Sequence, residues 1–262
     1  MSDIQTFLGV PDVGILAQDI VDTVAEPLIV LDSDLTIEPD LRRVLPEGVE
    51  VHAARVVYPR RVTSENLAIA SERAVAAVEQ LLPIRPSAIA WACTSGSFCG
   101  GRAGNEQLIA RLQEAAGEVP VTTASAALVA ALSALGVKHP AVGSPYSLAV
   151  NERLRRFLGE YDVSPVELRS LHDGELDDYA LQDVDDDRLA DFIRQLGHTG
   201  CDGIVISCTG LATANLAPAL ERELGRPILT SNLAIAWHCW KLGGIQRSPT
   251  IDCQLFRTLR AN

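Results

Sequence analysis

The stretch Ala90-Trp91-Ala92-Cys93-Thr94-Ser95-Gly96-Ser97-Phe98 is echoed in the second half of the chain by Ile204-Val205-Ile206-Ser207-Cys208-Thr209-Gly210-Leu211. In each copy an apolar run of strand formers ends at Cys-Thr, and a glycine follows within three positions, ahead of a helical pattern. That order delivers a thiol to the loop at the carboxyl end of a strand, where open α/β sheets bind ligands. The positive end of the next helix favours thiolate there. One Cys-Thr at a strand end carries little weight, because buried cysteines are common as small hydrophobes. Two at corresponding places predict a pair of sulfurs facing one substrate.

Working outward, Pro27-Leu28-Ile29-Val30-Leu31 reads as a buried first strand, and Glu38-Pro39-Asp40 opens a helix after it. Asp32-Ser33-Asp34-Leu35-Thr36 between them is both a helix cap by type and a candidate ligand-facing loop. Residues 49–57 alternate as a second strand, 64–82 form a long helix stopped by Pro83, and 87–92 form the strand that ends at Cys93. A helix over 105–116, a strand at 121–123 and an Ala-rich helix over 124–135 ending at Gly136 complete the first series. The second series repeats it. A strand at 139–143 leads to the loop Ser144-Pro145-Tyr146 and a helix over 151–158. A strand over 163–171 follows, pushed to a sheet edge by Pro165. Residues 172–187 read as an acidic, solvated, partly helical loop without calcium-loop spacing. Then come a helix over 188–197, the strand 203–207 ending at Cys208, a helix over 216–224, a strand at 227–230 and a helix over 234–242.

This alternation predicts an α/β fold of two pseudo-symmetric halves, each a parallel sheet flanked by helices, with the active site between them. The expected division is an N-terminal extension over 1–26, with a short amphipathic helix at 15–24, a first half over 27–118 completed by 229–262, and a second half over 119–228. The 262 residues, 47% of them hydrophobic, can fill such cores.

A net charge of -12 without a Lys/Arg cluster excludes a nucleic-acid surface. No segment approaches the roughly 18 to 20 apolar residues of a membrane span, so a cytoplasmic protein is expected. The six cysteines form neither C-x-x-C nor a zinc-ligand spacing with histidine, so free thiols and no metal are expected. Cys99, Cys201, Cys239 and Cys253 read as structural, as does His238 beside Trp237. Thr94, Ser95, Ser97 and Thr209 supply hydroxyls around a carboxylate, and Gly96 and Gly210 let backbone approach the ligand. Such a site needs no cofactor. Its thiols can move protons on opposite faces of a planar carbon, or one can add to a double bond.

With these residues in view, the chain resembles the aspartate/glutamate racemase superfamily, in the branch holding maleate cis-trans isomerase and arylmalonate decarboxylase. The resemblance spans most of 27–243. It rests on Asp34-x-Thr36-x-Glu38-Pro39-Asp40, Leu45-Pro46-Glu47-Gly48-Val49 and Cys93-Thr94-Ser95-Gly96-Ser97-Phe98. Ser144-Pro145-Tyr146 with Asn151, Ser207-Cys208-Thr209, and Ser231-Asn232 with Trp237-His238 complete it. It implies flavodoxin-like halves, no cofactor, a small carboxylate substrate and a homo-oligomer. By position, Cys93 is similar to the nucleophilic cysteine of maleate isomerases, where the decarboxylases carry glycine, and Cys208 to the second-half cysteine of both. Thr94, Ser95 and Thr209 resemble carboxylate-holding residues, and Tyr146 and Asn151 resemble the isomerases' substrate-binding tyrosine and asparagine.

Two departures bear on substrate. Asp32-Ser33-Asp34-Leu35-Thr36 stands where maleate isomerases resemble Pro-Ser-Ser-Asn-Thr, whose asparagine contacts a carboxylate, and an aspartate facing a dicarboxylate would repel it unless protonated or turned away. Gly210 replaces an asparagine often found after Cys-Thr. Asp32 and Ser33 are similar to an Asp-Ser pair beside the thiol and substrate amine of amino-acid racemases, which makes Asp32 a further candidate. The Asp34-Leu35-Thr36 loop is also similar to branch members associated with ectoine breakdown. The leading expectation is maleate to fumarate isomerisation by addition of Cys93, rotation and elimination, with Cys208 as partner acid. Amino-acid or N-acyl amino-acid racemisation or epimerisation is the alternative. Arylmalonate-type decarboxylation and non-catalytic carboxylate binding stand behind it.

Overall fold

The computed structural model describes residues 24–59, 63–172, 178–196 and 200–260. Two four-stranded parallel sheets form its frame. The first comprises β1 (Val24–Leu31), β2 (Val49–Val56), β3 (Ile89–Trp91) and β4 (Val121–Thr123), in the order β2-β1-β3-β4. The second comprises β5 (Ala141–Ser144), β6 (Glu167–Ser170), β7 (Ile204–Ile206) and β8 (Ile228–Thr230), in the order β6-β5-β7-β8. The two orders are the same, so each half repeats one winding, and each cysteine leaves the third strand of its half.

Helices follow the strands: α1 (Ile37–Val44), α2 (Ser64–Leu81), α3 (Thr94–Phe98), α4 (Gly101–Ala116) and α5 (Ala124–Leu135). Then come α6 (Leu148–Gly159), α7 (Asp186–Gln195), α8 (Ala217–Leu224), α9 (Ser231–Leu242) and α10 (Gln254–Arg257). Helix covers both faces of the first sheet, so β1, β3 and β4 are buried nearly throughout, while β2, at one edge, alternates. Ile29, Ile89 and Trp91 pack outward against Leu67 and Ala70 of α2 and Leu108 and Leu112 of α4. Leu28, Val30 and Ala90 point inward to a core shared with α1, α5, α9 and the strands of the second sheet. As Pro165 requires, β6 is an edge strand.

Strand pairing departs from the expected division of the chain. β4 bonds to β3 through Ile89↔Val121 and Trp91↔Thr123, so it closes the first sheet instead of opening the second. β8 bonds to β7 through Ile204↔Ile228 and Ile206↔Thr230, and so belongs to the second sheet. The helices, however, are exchanged. α9 leaves the second sheet and packs on α1, β3 and β4 of the first, while α5 leaves the first and reaches β8 of the second. α5 and α9 also pack on each other, which puts a helix pair at the junction of the halves.

The expected extension over 1–26 and its helix lie outside the described residues except for Val24–Glu26, which lengthen β1. Within the acidic stretch, 173–177 are also outside; Asp178–Asp183 is a short 3-10 turn, and Asp185 caps α7 by accepting Arg188 N–H at 2.7 Å. Gly143 marks where α7 lies closest to the second sheet. A methyl added there would come within 2.5 Å of Phe192 Cε1 and 2.8 Å of Leu196 Cδ1. Gly143→Ala is therefore expected to lower stability by about 1–3 kcal/mol, read as the shift of a denaturant unfolding midpoint at unchanged slope.

Candidate active site

Both thiols sit buried at strand ends. Cys93 is the N-cap of α3, and its Sγ accepts the Gly96 N–H at 3.4 Å. Cys208 Sγ accepts the Gly210 N–H at 3.3 Å. In each loop a glycine amide thus folds back on the sulfur and favours the thiolate. The expected helix after Cys208 does not do this work, because α8 begins only at Ala217. The two glycines also let each loop fold close to its sulfur. A methyl on Gly96 would lie 2.9 Å from Cys93 Sγ, and one on Gly210 would lie 3.6 Å from Cys208 Sγ and 3.0 Å from Leu181 Cδ1.

Tyr146 joins the two. Its buried phenol hydrogen-bonds to Cys208 and Thr94 and lies near Cys93. Burial and then the two sulfurs push its ionisation well above the usual tyrosine range, so it remains a proton donor between them. Ser95 Oγ lies 3.9 Å from Cys93 Sγ, and Thr94 Oγ1 bonds to Ser231 Oγ at 2.9 Å.

Asp34 enters from the other side. Its Oδ1 accepts the N–H groups of Thr36 at 2.8 Å and Ile37 at 3.1 Å, which caps α1, and the side chain also hydrogen-bonds to Thr209. Burial pushes its ionisation upward, against the lowering effect of those two amides, Thr209 and Arg55. Arg55 donates to the Asp34 carbonyl at 2.7 Å and pairs with Glu38, and Thr36 Oγ1 donates to the Gly210 carbonyl at 3.3 Å. The first loop is thereby tied to the Cys208 loop, with Ser33 buried beside Asp34. The capping reading of this segment holds, at Asp34.

Two expected site residues lie elsewhere. Asp32 is exposed, and its Oδ1 accepts the Tyr58 N–H at 3.2 Å, because it completes the end of β1 against the chain leaving β2. Asn151 turns inward. Its Oδ1 accepts from Ser144 Oγ at 2.5 Å and its Nδ2 donates to the Tyr146 carbonyl at 3.1 Å, so it braces Tyr146. A residue that sequence reasoning passed over is Ser125. Ser125 Oγ lies 2.7 Å from Ser97 Oγ, and both hydroxyls donate to the Thr94 carbonyl, which fixes the Cys93 loop from below. A buried serine in the otherwise apolar start of α5 was its signal.

Burial pushes the thiols of Cys99 and Cys253 up to about 11 and raises that of Cys239 well above the usual range. His238 is held near 4, mainly by burial, and its Nδ1 bonds to Thr122 Oγ1 at 2.8 Å, a packed and neutral ring. Among the described residues no three His, Cys, Asp or Glu side chains gather as a metal site, and no helix is long and apolar enough to cross a membrane.

Comparison with known proteins agrees with this geometry. The sequence model of the arylmalonate decarboxylase family matches residues 28–256. Arylmalonate decarboxylase of Bordetella bronchiseptica is 36% identical over 207 residues, 78% of this chain and 77% of that one. Maleate isomerase of Pseudomonas putida is 24% identical over 221 residues, 80% of this chain and 87% of that one. A cysteine-to-serine variant of maleate cis-trans isomerase from Nocardia farcinica, solved with a covalently bound succinylcysteine intermediate, superposes with a TM-score of 0.81 at 21% identity. It covers 90% of this chain and 98% of its own. The winding of the two sheets and the match across nearly all the described residues have one explanation: the chain belongs to the arylmalonate decarboxylase family of enzymes, in the branch of the aspartate/glutamate racemase superfamily that also contains the maleate isomerases.

Proposed function

We propose that the chain is a cofactor-independent isomerase of a small carboxylate, with maleate to fumarate as the named reaction and Cys93 and Cys208 as its acting groups. The observation that carries this reading is Tyr146, whose buried phenol bonds to Cys208 while lying beside Cys93, so that both thiols address one enclosed point. The Cys93 thiolate forms a C–S bond at C2 of the alkene, and the π electrons move to C3 and its carboxylate. Cys208 gives its proton to C3. The C2–C3 bond, now single, rotates; Cys208 takes the proton back, the double bond re-forms and the Cys93 thiolate leaves. Thr94, Ser95 and Thr209 hold the carboxylates as charge builds. The succinylcysteine of the Nocardia farcinica enzyme is the same class of adduct. Decarboxylation, the reaction in the name of the 36% identical relative, is disfavoured because Cys93 stands where decarboxylases resemble glycine.

Asp34 favours a second reading. A buried carboxylate opposes a dicarboxylate and suits an ammonium or amide N–H, as in racemisation or epimerisation of an amino acid or its N-acyl derivative. Proton NMR in deuterated buffer separates these readings. Fumarate formed from maleate supports the first; no fumarate with maleate unchanged sinks it, and deuterium entering the α-carbon of an amino acid puts the second in its place. Asp34→Asn sharpens the contrast, because the amide oxygen keeps the cap on α1. The substitution is expected to lower KM for maleate and to raise it for a nitrogen-bearing substrate.

A further inference from the structure

We infer that Asp40 is a positioning residue for Cys208: from α1 in the first half it holds the loop that sets the sulfur's hydrogen bond, and Asn232 completes the clamp. This rests on the reading of Cys208 as an acting group, but it can be tested without turnover.

Asp40 is 1% exposed. Its Oδ2 accepts four times: from Thr213 N–H at 2.7 Å, Asn232 Nδ2 at 2.9 Å, Ala214 N–H at 3.2 Å and Thr213 Oγ1 at 3.3 Å. Its Oδ1 lies 3.4 Å from Arg43 Nη1. The amide of Asn232, at the start of α9, also reaches the carbonyls of Thr209 at 3.1 Å and Leu211 at 3.2 Å. Every one of these contacts on 209–214 falls within six residues of Cys208, and none involves the sulfur itself. A buried carboxylate with this many donors has its charge matched and strongly directs the donors. The loop curls around Asp40 and so brings the Gly210 N–H onto Cys208 Sγ.

The Cys93 loop is held by other means. Ser97 Oγ lies 2.9 Å from the Cys93 carbonyl, and Ser125 supports Ser97 from α5. Among the described residues, Asp40 makes no hydrogen bond to 93–98 and Ser125 makes none to 208–214. Tyr146 and the Thr94–Ser231 hydrogen bond link the two loops, but the carboxylate clamp bears on the Cys208 loop alone and the Ser97–Ser125 pair on the Cys93 loop alone.

The test measures the pH profile of methylthiolation by methyl methanethiosulfonate at Cys93 and at Cys208, resolved by peptide mass spectrometry on the full chain. Asp40→Asn replaces the charged acceptor and places donors against donors. The Cys208 profile is expected to move to higher pH, with about a tenfold loss of rate at neutral pH, the size of one charge-assisted hydrogen bond, while Cys93 keeps its profile. Ser125→Ala is expected to do the reverse. If Asp40→Asn fails to fold, Asn232→Ala, which removes the amide contacts but keeps the carboxylate and its backbone donors, carries the same expectation for Cys208. Equal changes at both cysteines, or no change at Cys208, would overturn the assignment. A selective change at Cys208 in a protein that isomerises nothing would uphold it and reject the proposed reaction instead.

Discussion

Cys93→Ser is expected to lower kcat/KM by at least about 10³-fold, or about 4 kcal/mol of transition-state stabilisation, with little change in thermal stability. Serine keeps an oxygen that can accept the Gly96 N–H, so the cap of α3 survives. It does not keep an ionisable nucleophile, because Tyr146 is a proton donor there and no described histidine stands at the site to act as base. Cys208→Ser should differ in kind. With Tyr146 left as a proton donor to C3 but no thiolate to take that proton back, the protonated adduct on Cys93 should accumulate and appear in the intact mass of protein incubated with maleate. Turnover by Cys93→Ser within tenfold of the parent would show that this sulfur forms no bond to substrate, and the two-thiol mechanism would have to be given up.

Glu26→Gln is expected to raise stability by several kcal/mol above pH 8 and to flatten its dependence on pH. Glu26 lies on β1 with no exposed surface, and neither carboxyl oxygen has a hydrogen-bond partner among the described residues. Burial pushes its ionisation up from 4.5 to about 8; the Cys239 thiol of α9 lies against it and lowers it slightly, without hydrogen-bond geometry. Because the folded carboxyl holds its proton more tightly than the unfolded one, stability is fully present below pH 4.5 and falls as pH rises through the folded value near 8. Over about 3.5 pH units at about 1.4 kcal/mol each, the loss is on the order of 5 kcal/mol. Glutamine fills the same volume without ionising. Urea denaturation at pH 5, 7 and 9 measures the effect. Parallel curves for parent and Glu26→Gln would mean that ionised Glu26 is solvated or paired in the fold.

Much of this was legible from local pattern. The Cys-Thr echo, the run Pro27–Leu31 and the stop at Gly136 are local signals, and the strands and helices fall close to where they point. Sheet membership of β4 and β8 was not legible, because hydrogen bonding to β3 and β7 is decided by how crossovers pack and not by the strands' own composition. Nor was the work of Asn151 and Asp32. An asparagine five residues after a tyrosine fits either a substrate contact or a brace, and the distance from Asn151 to Ser144 Oγ and the Tyr146 carbonyl decides it. Asp40 stood in a recognised motif, but Thr213, Ala214 and Asn232, which bond to it, lie more than 170 residues away, beyond any sequence window. Glu26 sat inside a strand-forming run as an ordinary polar residue, and nothing local said that α9 would cover it.

The placing of α5 and α9 also bears on how this enzyme could have been modified over generations. Two halves with the same strand order look like the product of a duplication, yet α9, which leaves the last strand of the second, packs on the first, and α5 bridges the last strands of both. Recombination at the midpoint would strip each sheet of the helix supplied by the other, so whole halves cannot be traded between relatives as modules. New chemistry has to arrive by point substitution in the loops, where separate fastenings let one thiol change while its counterpart stays in place.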